Sequence, residues 1–257
     1  MLNVKGLVLD QRMLGEQDRS IDVLTAEYGV INIIVKGAAK LSSKTGSATQ
    51  LFAYSQFSLA ERKGRGGARI LGSVAPIHIF YGLRSSVTAV ALASYMAQAA
   101  KMAVLPRSGV PEMLRLLLNS FHYLSERTYP EAHVKAVFEL RAAALLGFLP
   151  DVVMCRVCGQ YLPAQLCFFI EDGSFLCAEH LEEGELRHYV TMPAGTLLAI
   201  RHIVLREPER IFSFKIAPHC EAPLAAFAEQ FLRYHIDCEL PALGYYRQIV
   251  DSLTPHP

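Results

Sequence analysis

The first eighty residues alternate apolar and polar positions in short runs that are rich in β-branched and aromatic side chains. Glycine-containing segments separate these runs, which is typical of short β-strands joined by turns. The five predicted strands are Val4–Leu9, Ile21–Thr25, Val30–Val35, Phe52–Leu59 and Arg69–Ala75. Five strands in about 75 residues predict a small closed or half-closed barrel, of which the five-stranded oligonucleotide-binding (OB) fold is the commonest.

After Pro76 the apolar positions recur every three or four residues, which predicts amphipathic helices. Prolines at positions 106, 130 and 150 follow three of these segments, where helices commonly end. The predicted helices are Leu83–Leu105, Pro111–Arg127, Glu131–Phe148, Pro193–Leu205 and Pro223–Ile236. A cysteine-rich segment interrupts them, so the second part of the chain reads as an all-α body with an insertion.

The charge of the chain is almost balanced but unevenly distributed. Twenty-five Lys and Arg face 24 Asp and Glu in 257 residues, a net charge of +1, which by itself indicates no partner. Between residues 36 and 69, however, seven basic residues face only Glu61. These candidate DNA-binding residues are Lys36, Lys40, Lys44, Arg62, Lys63, Arg65 and Arg69. Such a bias on two loops of a barrel favours a track for nucleic-acid phosphates.

Hydropathy and cysteine content favour a cytoplasmic protein. The longest uncharged Ala-rich stretch, residues 85–100, has 16 residues and is shorter than the roughly 18–20 that a membrane helix needs. The amino terminus lacks the pattern of a secretion signal. Six cysteines are too few for a disulfide scaffold in a chain of this length. We therefore expect a reducing cytoplasmic setting without membrane contact.

Four metal-capable side chains form the strongest chemical motif. Cys155 and Cys158, followed by Cys177 and His180, give the pattern C-x2-C-x18-C-x2-H. Two paired ligands separated by a hairpin-sized gap are the spacing that encloses a tetrahedral Zn²⁺ ion. Because protein side chains fill all four positions, the site is expected to be structural and coupled to local folding.

The other cysteines and a plainer interpretation stay open. Cys155 and Cys158 can be buried thiols, with His180 as an exposed residue at a helix end. Cys167 lies between two apolar residues and is expected in the core, although it is the natural substitute if His180 is not a ligand. Cys220 is assigned to packing, and so is Cys238.

Catalytic motifs are missing from the sequence. His180 and Glu182 match the H-x-E half of a zinc deaminase signature, but there that half precedes the cysteine pair. Ser43 stands where a phosphate-binding loop needs glycine before Lys44 and Thr45. A redox role for the C-x2-C pair would need a βαβ setting. We therefore expect neither an enzyme nor a nucleotide-binding protein.

Three aromatic residues lie between the two basic loops. Phe52, Tyr54 and Phe57 can stack on bases if they lie on the exposed face of the barrel. Residues two apart on a strand share one face, and aromatic residues so spaced more often face a core. We therefore expect them in the core.

Five segments of the sequence carry a family resemblance: Gly6–Asp10, Gly15–Ser20, Leu24–Gly29, Val35–Lys40 and Phe138–Asp151, the last followed by the C-x2-C-Gly motif. With these segments the sequence resembles the RecO family of bacterial recombination mediators over essentially its whole length. The predicted barrel, the helices and the paired metal ligands follow one another in the same order as in this family. The resemblance implies an α+β multidomain chain, with an OB barrel over residues 1–80 and a helical domain over 81–150. It further implies a zinc-binding insertion over 151–185. C-terminal helices over 186–257 then complete the helical domain.

The resemblance also implies function and partners. Members bind single- and double-stranded DNA, anneal complementary strands and act with RecR to load RecA onto strands covered by single-strand-binding protein. Lys36 and Lys40 match the basic loop of the family, although Ala39 stands where members often carry a further basic residue. His180 replaces the more frequent fourth cysteine. Members also capture the acidic, hydrophobic tail of single-strand-binding protein in the helical domain.

Two basic residues are candidates for the contact with that tail. Lys135 and Arg141 flank the Phe138-Glu-Leu segment that the resemblance marks. Both can equally be solvated charges on a helix surface.

Three functions remain to be separated. The first is a non-enzymatic DNA-binding and annealing mediator. The second is a zinc-stabilised protein-interaction module with no direct role on DNA, in which the basic segment meets an acidic protein. The third, a zinc hydrolase or deaminase, requires an open metal position.

Overall fold

The first strands close into a barrel, as the alternating pattern predicts. The computed structural model describes residues 1–38, 43–60, 69–104, 110–236 and 238–253, with only the backbone at Ser43 and Lys44. The barrel strands are β1 (Leu2–Leu14), β2 (Asp18–Thr25), β3 (Gly29–Val35), β4 (Ala53–Ala60) and β5 (Arg69–Ile79). Their order around the barrel is β1-β2-β3-β5-β4, and helix α1 (Ser43–Ala48) lies between β3 and β4 in the chain. This is the predicted OB barrel.

Inward-facing residues of alternate positions fill the barrel. Val8, Ile21, Ile33 and Phe57 are fully buried in one apolar cluster. At Gly6 the neighbouring strand comes so close that a Cβ atom would lie 2.4 Å from a methyl group of Val23. Glycine is required there, which gives a packing reason for the Gly-Leu-Val opening of the sequence.

Three helices pack with the barrel in one compact unit, which comprises residues 1–128 and 240–257. They are α2 (Val87–Ala103), α3 (Pro111–Glu126) and α7 (Pro241–Leu253). The Ser86 hydroxyl caps α2 by accepting a hydrogen bond from the Ala89 N–H group at 3.2 Å. Helix α2 packs against α7, α3 and β1, so its alanines are buried on several faces. None of the helices in the described residues combines the length and the apolar composition of a membrane span.

Residues 129–239 form the second compact unit. Its elements are α4 (Glu131–Leu145), β6 (Gln165–Phe169), β7 (Ser174–Cys177), β8 (Tyr189–Pro193), α5 (Ala194–Leu205) and α6 (Pro218–Ile236). The three strands form an antiparallel sheet in the order β7-β6-β8. The Phe168 ring of β6 meets the Phe227 ring of α6 edge to face, with 4.8 Å between ring centroids. Sheet and helices thus share one core.

Several boundaries differ from the sequence-based expectations. Helix α2 begins at Val87, because residues 81–85 form a separate 3-10 turn. Helix α6 begins at Pro218 and contains Pro223 in its second turn, where proline has no N–H group to donate to the carbonyl of His219. Helix α7 and strand β8 were not expected as separate elements. The four-part domain division stays a prediction, and the contacts group the described residues into the two units above.

Candidate metal centre and basic surface

A tight turn presents the first two cysteines. Cys155 is buried and Cys158 is exposed, and the turn ends at Gly159, whose φ of +73° is a left-handed conformation that favours glycine. The Gly159 N–H donates to the Cys155 carbonyl at 2.9 Å, and the Cys155 N–H donates to the Gln160 carbonyl at 3.0 Å. These bonds fold the segment back on itself and direct both sulfurs to the same side. We call residues 152–161 the knuckle.

Strand β7 and the turn after it supply the other two ligands. Cys177 ends β7, and His180 ends the 3-10 turn of residues 178–180. The Cys155 Sγ lies 3.9 Å from the His180 Nδ1, and the Cys158 Sγ lies 3.7 Å from the Cys177 Sγ. All four ligand atoms lie within 4.8 Å of one another. Tetrahedral bonds of about 2.3 Å to sulfur and 2.0–2.1 Å to nitrogen place ligand atoms about 3.5–3.8 Å apart, close to the first two distances, so the group can hold a metal ion.

The electrostatics of the group also call for a cation. Burial raises the pKa of Cys155, but backbone N–H groups of Cys158, Cys177 and Val157 outweigh it and lower the pKa to about 6. Burial and the neighbouring thiols raise the pKa of Cys177 to about 12. One thiolate is therefore favoured, and a second beside it is opposed. A bound divalent cation removes that opposition, which fits a donor set of three sulfurs and one imidazole.

Cys167 does not join this group. It lies on β6 opposite Leu176 and Thr191, and it is buried. Burial raises the pKa of the Cys167 thiol, as expected for an apolar surrounding. Its expected place in the core is confirmed, and His180 is the fourth side chain of the group. Cys220 is buried as well.

Of the predicted basic residues, the structure describes the side chains of Lys36 and Arg69. Lys36 is exposed directly after β3, and Arg69 is half-buried at the start of β5. Strands β3 and β5 are parallel neighbours, with Ile33 opposite Arg69. Lys44 lies in α1. Lys40, Arg62, Lys63 and Arg65 lie outside the described residues.

The aromatic residues between the basic loops lie mostly inside. Phe52 and Phe57 are buried, as expected, whereas Tyr54 is half-buried. Burial, with a smaller contribution from Glu27, raises the pKa of Tyr54. An exposed aromatic ring does lie near Arg69: the guanidinium carbon is 5.8 Å from the centroid of Tyr28. In the sequence, Tyr28 stands beside Gly29 between two predicted strands, a position that gives no sign of this contact.

The two candidate tail contacts are engaged within the second unit. Lys135 is buried, and its Nζ lies 2.7 Å from Glu139 Oε1 and 2.8 Å from Glu229 Oε2. Arg141 donates to the Val204 carbonyl at 2.9 Å. A partner contact by Lys135 would compete with both carboxylates, and the assignment of these two residues to a partner stays a prediction.

An apolar cavity lies at the start of α4. It has a volume of about 290 Å³ and lies between α4, the segment before α6 and the first turns of α6. Its lining includes Tyr129, His133, Phe214, Leu224 and the exposed Lys215. Residues eighty positions apart form it, so no local sequence signal could have indicated it.

Comparison with known protein families matches both parts of the chain. The model of the recombination protein O N-terminal region matches residues 1–80, and that of the C-terminal region matches residues 84–243. A DNA repair protein RecO from Acetivibrio thermocellus is 26% identical over 250 residues, covering 96% of this chain and 97% of that protein. Another, from Desulfitobacterium hafniense strain Y51, is 29% identical over 249 residues, covering 95% and 89%. The chain therefore belongs to the RecO family of DNA repair proteins.

Proposed function

We propose that the chain is a non-enzymatic mediator of DNA repair and homologous recombination. It binds single- and double-stranded DNA, anneals complementary strands and, with RecR, helps to load RecA onto strands coated by single-strand-binding protein. The observation that carries the DNA-binding part is the pairing of Ile33 with Arg69 on parallel strands. Lys36 lies three residues beyond Ile33, about 10 Å along the strand, so Lys36 and Arg69 lie on neighbouring strands of the barrel.

The proposed surface combines charge with a stacking platform. Lys36 and Arg69 supply positive charge for phosphates, and Tyr28 offers an exposed ring beside Arg69. A cationic groove with aromatic rings binds single strands with little sequence preference. Annealing is favourable once phosphate repulsion is screened and the bases are exposed, so binding alone suffices for the activity.

Removing basic residues tests this surface. Changing Lys36, Lys40, Arg62 and Lys63 to alanine should weaken single-strand binding and flatten its salt dependence. Each lost phosphate contact reduces the slope of log K against log salt by about 0.7, so four contacts reduce it by about 3. Fluorescence anisotropy of a labelled oligonucleotide across salt concentrations measures this slope.

The matched control removes the same charge from the second unit. Its alanine substitutions are at Arg156, Arg206, Arg210 and Arg233, all of them exposed. An unchanged slope in the barrel variant, or equal losses in both variants, would refute the surface. If the wild-type chain does not bind single-stranded DNA in moderate salt, the result would instead favour the protein-interaction module.

We further propose that the metal is Zn²⁺ and that it is structural. Three sulfurs and one nitrogen close the coordination sphere and leave no position for a substrate, unlike a hydrolase or deaminase site. When bound, the ion would tie the knuckle to β7 and the turn at His180. Absorption spectroscopy of a cobalt-substituted sample tests this: a tetrahedral spectrum with three thiolates is expected, and a spectrum that responds to added small anions would show an open position.

We also propose that the acidic, hydrophobic tail of single-strand-binding protein docks in the cavity at the start of α4. The aromatic and aliphatic lining suits the apolar end of such a tail. The two charged residues of the lining are Glu221 and the exposed Lys215, and Lys215 supplies the cation for the acidic part. Lys135 would then hold α4 against α6 through Glu229.

Charge reversal at the rim tests the docking site. Lys215→Glu should weaken binding of a synthetic peptide with the tail sequence by about tenfold, which corresponds to about 1.4 kcal/mol. Fluorescence anisotropy of the labelled peptide measures the dissociation constant. Arg206→Glu changes an exposed charge of the same unit that does not line the cavity. Equal binding by both variants would exclude this cavity as the site.

A further inference from the structure

A buried arginine on a neighbouring helix donates hydrogen bonds to main-chain carbonyls of the knuckle. Arg201 lies on α5 and is 5% exposed, among apolar neighbours such as Ile200 and Val204. Its Nε donates to the Val152 carbonyl, and its Nη2 donates to the carbonyls of Val153 at 2.8 Å and Tyr161 at 2.5 Å. The guanidinium carbon also lies 3.8 Å from the centroid of the Tyr161 ring.

These carbonyls lie at the two ends of the knuckle. Val152 and Val153 precede Cys155, and Tyr161 directly follows Gln160, whose carbonyl accepts from the Cys155 N–H. One guanidinium thus bridges the incoming and the outgoing chain. The bridge closes the loop that carries Cys155 and Cys158.

The position of this charge is costly for the fold. A buried cation needs partners that replace water, and here those partners are main-chain carbonyls and an aromatic ring. Within the described part of the chain, Nη1 has no hydrogen-bond partner and Arg201 forms no ion pair. An apolar residue would pack on α5 without this cost, so the arrangement points to a requirement of the knuckle.

We propose that Arg201 is a positioning residue of the metal centre. By joining the two ends of the knuckle, it holds the loop of Cys155 and Cys158 in its metal-binding conformation before the ion binds. The inference rests on the proposed metal centre. Because the two ends of the knuckle are already joined, less conformational entropy is lost when Cys155 and Cys158 bind the ion together with Cys177 and His180. The ion therefore binds more tightly and dissociates more slowly. Arg201 touches no ligand atom and acts through the backbone.

The planar fork of arginine is essential to this role. Its donors point in fixed, divergent directions and reach three carbonyls at once, whereas the ammonium group of lysine is a single compact centre on a flexible stem. Lysine keeps the charge and loses the bridge. Methionine keeps much of the side-chain length and loses both.

The experiment measures zinc affinity in the full chain. Wild type, Arg201→Met, Arg201→Lys and Ile200→Val are each equilibrated with zinc and a chromophoric chelator, which gives the dissociation constant. We expect Arg201→Met to lower the zinc affinity by about 10–100-fold, the range for residues that orient metal ligands without binding the metal. Arg201→Lys should fall between Arg201→Met and wild type. Ile200→Val trims a fully buried neighbour on the same helix and should stay within about twofold, because it leaves the bridge intact.

Cobalt spectra separate positioning from ligation. All four proteins should show the same ligand field at saturation, because the ligand set is unchanged. Circular dichroism checks folding, and if Arg201→Met does not fold, Arg201→Lys decides. A zinc affinity for the deciding variant within twofold of wild type, or equal to that of Ile200→Val, overturns the positioning role. A wild-type chain that retains no metal overturns the metal centre itself and this inference with it.

Discussion

Replacing Cys155 with serine is expected to abolish stable metal binding and to unfold the knuckle. Cys155 is one of the two buried sulfurs of the group and accepts a hydrogen bond from the Cys177 N–H at 3.3 Å, so it links the knuckle to β7. Structural zinc binds isolated zinc-finger peptides with about 10–16 kcal/mol, and much of that free energy is folding free energy. The unit of residues 129–239 has further packing in its helices, so we expect it to lose several kcal/mol and to keep its helices.

Metal content and thermal unfolding together measure this effect. Purified wild type should carry about one zinc per chain after gel filtration, and Cys155→Ser should carry none. Chelation of wild type should reproduce the thermal transition of the variant, since both remove the same bonds. Metal binding requires deprotonated thiols, so the affinity should also fall as the pH is lowered.

Cys167→Ala is the matched control because Cys167 is a buried thiol outside the group. It should keep the metal at a small cost in packing. A variant at Cys167 that loses its metal while His180→Ala keeps it would reverse the assignment of the fourth ligand. Retention of zinc by Cys155→Ser would contradict the centre.

Local patterns explain why much of this fold is visible in the sequence. The β-branched runs between glycines predict all five barrel strands. Successive side chains of a barrel strand point alternately into the core and out to solvent, so apolar and polar residues alternate along it. The C-x2-C and C-x2-H pairs predict the four side chains of the metal group, because each pair closes a short turn. Such features depend on residues only a few positions apart.

Features that depend on distant residues escape the same reasoning. Arg201 reads as one charge in an apolar helix, and only the fold brings it to carbonyls 40 to 49 residues away. Helix α7 carries apolar residues at the helical spacing of Leu243, Tyr246 and Val250, so its pattern could have indicated it, whereas its packing on α2 depends on distant residues. Lys135 looks like a surface charge in sequence, yet Glu229 meets it from another helix.

Substituting Asp22 with asparagine should lower the free energy of unfolding of the barrel unit by about 2–3 kcal/mol at pH 7. Asp22 is buried on β2, and its Oδ2 lies 2.6 Å from Lys101 Nζ and 3.1 Å from an Arg12 nitrogen. Its Oδ1 accepts from the Asn32 amide at 2.7 Å. Breaking a buried pair costs about 3–5 kcal/mol, and the cost is smaller here because Lys101 is partly exposed and retains Asp10.

The loss should depend on pH in a defined direction. Burial alone would raise the pKa of Asp22, but hydrogen bonds from Lys101 and Asn32 and the charges of Lys101 and Arg12 lower it. A carboxyl group whose pKa is lowered by folding stabilises the fold fully above its unfolded pKa of about 4 and loses that contribution as the pH falls through the folded value. The gap between wild type and Asp22→Asn should therefore be constant from neutral pH to about 5 and shrink below about 4.

Urea unfolding of both proteins at pH 7, 5 and 3 measures this gap, with the circular dichroism of the barrel unit as the signal. Asp10→Asn is the control, since Asp10 shares Lys101 but its side chain is 42% exposed. Its substitution should cost less than about 1 kcal/mol, as exposed pairs do. A gap for Asp22→Asn that stays constant down to pH 3 would mean that the loss comes from altered packing. A gap no larger than that of Asp10→Asn would mean that the barrel holds α2 through its apolar contacts alone.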